Sequence, residues 1–174
     1  MTKDTIAATG RIDTKTYDVS PPEELSEEAK LEWLRDHDPV DENIDYNTTL
    51  FGMHEYFAIN LDPTQELEED ITHLAVGDDD TAPDSENEEL NNEVFRKGVT
   101  DYSQNGNTIL ASTFIASDEA NGNTFREVGL FAGGAEPGDA EYPERMWNHS
   151  TIADIAKDDT RTITIDVTLE FSAV

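Results

Sequence analysis

Asp78, Asp79, Asp80 and Asp84 place four carboxylates within seven positions, directly after the apolar run Ile71–Val76 and Gly77. Carboxylates so spaced can hold a hard cation, share protons in catalysis, or simply hydrate a loop. An EF-hand loop needs oxygen ligands at alternating positions and a glycine at the sixth. Counted from Asp78, the fifth residue is Ala82 and the sixth is Pro83, so that pattern fails. Oxygen-ligand sites of other kinds have no fixed spacing. The loop is therefore expected to be mainly a solvated acidic segment, with a structural Ca²⁺, Mg²⁺ or Na⁺ ion as the alternative.

The histidines stand at 37, 54, 73 and 149. His54-Glu55 opens like H-E-x-x-H, but position 58 is alanine, so the zincin arrangement is missing. His54 is expected on a helix near a packed stripe, and His73 on the less buried face of a strand. The sequence contains no G-x-S-x-G elbow, Walker A or G-x-G-x-x-G run, and Gly133-Gly134 has no helix behind it. Carboxylate pairs for glycoside hydrolysis are uninformative in a chain with 40 Asp and Glu. No catalytic, cofactor-binding or metal-ligating residue is assigned, and the chain is expected to be non-enzymatic. Asn47-Thr48-Thr49 and Asn148-His149-Ser150 match the glycosylation acceptor pattern by chance, the first reading as a helix cap and the second as strand.

The elements that must position these groups belong to a chain of 174 residues, long enough for one domain burying about 70% of its unfolded surface. It has no cysteine, so packing, hydrogen bonds and assembly must stabilise it. No secretory leader or membrane span is expected. The 40 acids against 11 Lys and Arg leave a net charge of −29, which repels phosphate backbones and argues against nucleic acid as a partner. Patterned apolar segments, with seven Phe and two Trp, argue for a folded domain with acid on its surface. Such self-repulsion suits molar salt, where the Debye length falls to about 3 Å. Only five lysines, at 3, 15, 30, 97 and 157, agree with a halophile or something that infects one.

Residues 1–19 are poor in large apolar groups and are expected to form an arm that needs a neighbour to order it. Ser20, Pro21, Pro22 and Glu23 have the features of a capped helix start, predicting a helix over 21–36 with Leu25, Ala29 and Trp33 on one face and Leu34 beside them. A second helix is predicted over 47–63, capped by Asn47 or Thr48, with Leu50, Met53, Phe57 and Leu61 at helical spacing. Strands are predicted at 71–76, 93–102, 108–115, 124–131, 145–152 and 161–171. The last is the clearest, since Ile163, Ile165, Val167, Leu169 and Phe171 alternate with Thr162, Thr164, Asp166, Thr168 and Glu170. Turn clusters separate the strands, with Asn105-Gly106 the strongest hairpin signal. The predicted class is α+β, mainly β: an antiparallel β-sandwich with two N-terminal helices. Residues 1–46 form a docking arm and helix, and residues 47–174 the main domain.

Six segments occur in a telling order: Ala75–Gly77, Thr81–Pro83, Leu90–Lys97, Glu119–Gly122, Arg126–Phe131 and Arg161–Phe171. They read A-V-G, T-A-P, L-x-x-E-V-x-R-K, E-A-N-G, R-E-V-G-L-F and an alternating strand. Their joint order, within residues 47–172, resembles a family of small virion proteins of tailed viruses, associated with tail fibres, baseplates or related appendages. The resemblance implies a virion structural protein of a haloarchaeal virus, located in a tail or other surface appendage. Its partners would be itself, as a homo-oligomer and most simply a trimer, and other virion proteins, with no membrane insertion. Because Val174 follows the final strand, an adaptor is expected and not a complete receptor-binding protein. A capsid decoration, turret or neck protein is the nearest alternative. A carbohydrate- or calcium-binding module of a halophilic surface is the alternative from another class.

Overall fold

The structure is a computed structural model, and it describes residues 6–49, 70–133 and 145–173. It is mainly β, with nine strands and one helix among the described residues. In chain order these are β1 (Ile6–Tyr17), α1 (Glu27–Arg35), β2 (Asp41–Thr49), β3 (Ile71–Gly77) and β4 (Glu93–Gly98). There follow β5 (Asp101–Asn105), β6 (Thr108–Ile115), β7 (Thr124–Ala132), β8 (Arg145–Ala156) and β9 (Thr162–Ala173). Every strand pair is antiparallel, in the order β4-β3-β7-β8-β2-β1-β9-β6-β5.

The strands form two sheets, joined where β2 pairs with β1 over most of its length and with β8 through Thr48 and Thr49. At the other side the chain crosses between sheets within one peptide step. Val99 N–H donates to Thr72 O at 2.9 Å, and Thr100 N–H donates to Ser112 O at 2.8 Å. Strand 93–102, predicted as continuous, is thus divided into β4 and β5. One apolar cluster draws on both sheets, with Ile12, Ile163, Ile165, Val167 and Leu169 from the first and Leu74, Val76, Val128 and Leu130 from the second.

Residues 6–17 do not wait for another molecule to order them. From Ile6 to Tyr17 they run beside β9, register by register, and so find their neighbour within the chain. The first helix is shorter than the 21–36 predicted. Ser26, not Ser20, caps it, accepting from Ala29 N–H at 3.3 Å, while Ser20 Oγ bonds Ser117 Oγ at 3.0 Å. A proline disfavours helical geometry in the residue before it, so Pro22 keeps Pro21 out of the helix. The buried face is Leu31 and the predicted Leu34, which pack on Tyr17 and Phe114 with Trp33 partly buried against them, while Leu25 lies before the helix.

That packing modifies the alternation of β9. Ile163, Ile165, Val167 and Leu169 are buried as predicted. Thr162 and Thr164 are buried too, because they lie beside Tyr17 and Phe114 in the part of the sheet that α1 covers. The second predicted helix is not present at its start: Asn47, Thr48 and Thr49 belong to β2. Residues 50–63, with His54, lie outside the described residues. Gly106-Asn107 forms the β5–β6 connection, one position later than predicted, and Gly106 supplies the positive φ of 62°. Among the described residues no helix is long and apolar enough to cross a membrane.

Candidate functional site

The acidic loop after β3 folds back over the outer face of the second sheet. Register decides which side chains meet it: Gly77 pairs with Glu127, Ala75 with Gly129, and Gly129 with His149. Alternation then puts Val76, Val128 and Leu130 in the main core and turns Glu127, Gly129, Phe131 and His149 toward the loop.

Glu127 and His149 are both completely buried there, with His149 Nε2 2.7 Å from Glu127 Oε2. The same carboxylate accepts the backbone N–H of Asn91 at 3.0 Å and of Asn92 at 2.8 Å. A buried carboxylate needs such donors, and here three of them meet it. The second ring nitrogen, His149 Nδ1, lies 3.3 Å from Asn87 Oδ1, which also accepts Asp84 N–H at 2.6 Å.

Gly77 provides the space. A Cβ at that position would collide with Glu127 Oε1 and lie 2.6 Å from Asn92 O. Gly129 admits Leu90, whose Cδ2 would be 2.9 Å from a Cβ there. Leu90 then packs with Ala75, Phe131 and Met146 in a small apolar cluster. Arg126 Nη1 donates to Asp78 O at 3.1 Å, and Asn91 Nδ2 to Thr81 O at 3.2 Å. The loop is therefore fixed by a buried polar pin, an apolar plug and peripheral hydrogen bonds.

Asp78, Asp79 and Asp84 are used locally. Asp78 accepts from Asn92 Nδ2 at 2.6 Å, and Asp84 Oδ1 from Glu86 N–H at 3.0 Å. Asp79 accepts from Thr81 N–H at 2.7 Å, and hydrogen bonds from Thr81 hold its carboxylate below the ordinary range. Among the described residues, no three Asp, Glu or His side chains gather in a way that could hold a metal ion.

The other histidines do not join the pin. His37 stacks on Trp33 with ring centroids 3.7 Å apart, and His73 is half-buried in β3. Asn148 is completely buried within β8, which removes its acceptor pattern from the surface. Sequence reasoning placed His149 in a strand but assigned it no role, because its partner lies 22 residues away. The one available signal was Glu127 itself, an acid directly before the apolar run V-G-L-F.

No family model, curated protein or solved structure matches the chain. Its site must be read from its own geometry. Both members of the acid–imidazole pair are sealed from solvent and all their contacts point inward, so the pair holds the loop in position.

Two further contacts extend the unit. Arg96 lies over the Phe131 ring at 3.9 Å. Lys97 Nζ bonds Glu119 Oε2 at 2.9 Å and reaches Glu27 Oε2 of α1 at 3.3 Å. Glu119 also accepts Ala116 N–H at 2.8 Å, which shapes the turn leading to Gly122.

Proposed function

We propose that this chain is a non-enzymatic virion structural protein of a haloarchaeal tailed virus, an adaptor associated with the tail fibre or baseplate. It is built as a β-sandwich and works by assembling with itself and with other virion proteins. The observation that carries this reading is the convergence of the segments behind the family resemblance. Gly77 of A-V-G makes room for Glu127 of R-E-V-G-L-F, and Glu127 binds the backbone just after Leu90. Arg96 meets Phe131, and Lys97 meets Glu119 of E-A-N-G. Segments far apart in sequence thus encode one packed unit, which presents a fixed loop on a rigid sheet. Fixing a loop in advance lowers the ordering cost of docking.

The acidic surface favours assembly in brine, where screening removes most of the repulsion that a net charge of −29 causes at low salt. The test is to purify tailed particles in molar salt from a haloarchaeal culture carrying the gene, then to locate the chain by mass spectrometry and imaging. Tail or baseplate density is expected. A stable monomer absent from particles overturns the reading, and density on the capsid or neck selects a decoration protein instead. A rise in melting temperature on adding Ca²⁺ after chelation would favour a cation-binding surface module.

A further inference from the structure

We infer that β5 is a self-pairing edge, through which two copies of this chain join as an antiparallel, two-fold dimer. The inference deepens the assembly reading and rests on it for the identity of the occupant.

Among the described residues the sheet order ends in β4 and β5, each of which has a neighbour on one side only. An open edge presents unpaired N–H and C=O groups and is a template for another strand unless something guards it. β4 is guarded: Arg96 pairs with Glu93, Lys97 is held by Glu119, and most of the strand is half-buried. β5 differs on every count. Tyr102, Ser103, Gln104 and Asn105 are all exposed, and Tyr102 is 72% exposed. Its one acid, Asp101, is engaged by Arg35 Nη1 at 3.2 Å.

The charge pattern identifies the occupant. Sixteen consecutive residues, Tyr102–Ser117, carry no acid or base in a chain that is 29% charged. This run is the β5–β6 hairpin and its exit. Two copies that each carry −29 repel wherever their acidic surfaces meet, and a neutral edge lets them approach. Backbone ladders and Ser, Gln and Asn side chains form hydrogen bonds that do not rely on ion pairs, so molar salt leaves them in place. Identical edges pair across a two-fold axis and close, giving a dimer and not the trimer the resemblance implies. An axis at Ser103 puts Ser103 of one copy opposite Ser103 of the other, with Tyr102 opposite Gln104. Five residues make a small contact, below the roughly 1,200 Å² of a stable interface, so the dimer is weak and concentration-dependent.

The experiment is sedimentation of the full chain in molar KCl from micromolar to near-millimolar protein, with amide exchange followed across β5. The expected result is a dimer at high concentration, with protection at Tyr102–Asn105 that rises as it forms. The double variant Ser103→Glu and Gln104→Glu brings like charges together at the axis and should weaken association at least tenfold. Ser103→Thr with Gln104→Thr keeps the edge neutral and should associate as the parent does, which separates charge from loss of folding. An oligomer that survives the glutamates, with β5 amides exchanging at a concentration-independent rate, overturns the inference and leaves the assembly reading standing. A monomer at every concentration also overturns it, whereas the assembly reading falls only if the chain is absent from particles too.

Discussion

His149 Nε2 and Glu127 Oε2 lie 2.7 Å apart at a site where neither side chain has any exposed surface. The pair joins β8 to β7 and, through the N–H groups of Asn91 and Asn92, joins both strands to the loop before β4. Its consequences are measurable because removing either partner strands the other in a dry environment.

Glu127→Ala leaves two backbone N–H groups and an imidazole without their acceptor. The expected loss of stability is about 3–5 kcal/mol, read from denaturant unfolding in molar KCl. Glu127→Gln keeps an acceptor and nearly the same volume, and is expected to lose less.

Gly77→Ala tests the space that the carboxylate occupies. Its Cβ would meet Glu127 Oε1 and the Asn92 carbonyl, a backbone atom that cannot move aside cheaply. A loss of about 1–3 kcal/mol is expected, with faster amide exchange at Asn91 and Asn92. Gly129→Ala meets the ends of Leu90, Phe131 and Met146, which can shift, so its loss should be the smaller.

Lys157 is buried, and its ammonium donates to Asn121 Oδ1 at 2.7 Å, Asp158 O at 2.8 Å and Ser117 O at 3.1 Å. Burial pushes its pKa below the ordinary lysine value, against the opposing influence of Asp158, Asp118, Glu119 and Asp159. Between the lowered folded value and the unfolded value near 10.4, the unfolded chain holds the extra proton, so this group adds stability as pH rises through that window. Lys157→Met should abolish that increment when its melting curve is compared with the parent's across alkaline pH. It should also cost about 1–3 kcal/mol at neutral pH, because three acceptors lose their donor.

Ser26→Ala removes the true cap of α1 and is expected to cost about 1 kcal/mol. Ser20→Ala, at the position the sequence favoured as cap, should stay within about 0.5 kcal/mol. Thermal unfolding of the two variants side by side decides between the helix starts.

Much of the sheet was legible in the sequence, because a half-buried strand writes its own period. The alternating β9 and the span of β6 are both local signals of this kind. The surface acid was equally plain from composition. The start of α1 was less so: Ser20-Pro-Pro-Glu reads as a cap, but the helix begins after Ser26, where Leu31 and Leu34 pack on Tyr17 and Phe114.

Tertiary structure alone decided the fate of residues 6–17, whose weak apolar pattern gave no hint that β9 would accept them along their whole length. It also decided the role of His149. Nothing in R-M-W-N-H-S names a partner, and only the pairing of Gly129 with His149 and of Gly77 with Glu127 brings imidazole, carboxylate and loop backbone to one point. Periodicity within a strand is set by each residue's own burial and can be read locally. Contacts across strands depend on register between distant segments, and register exists only once the sheets have packed.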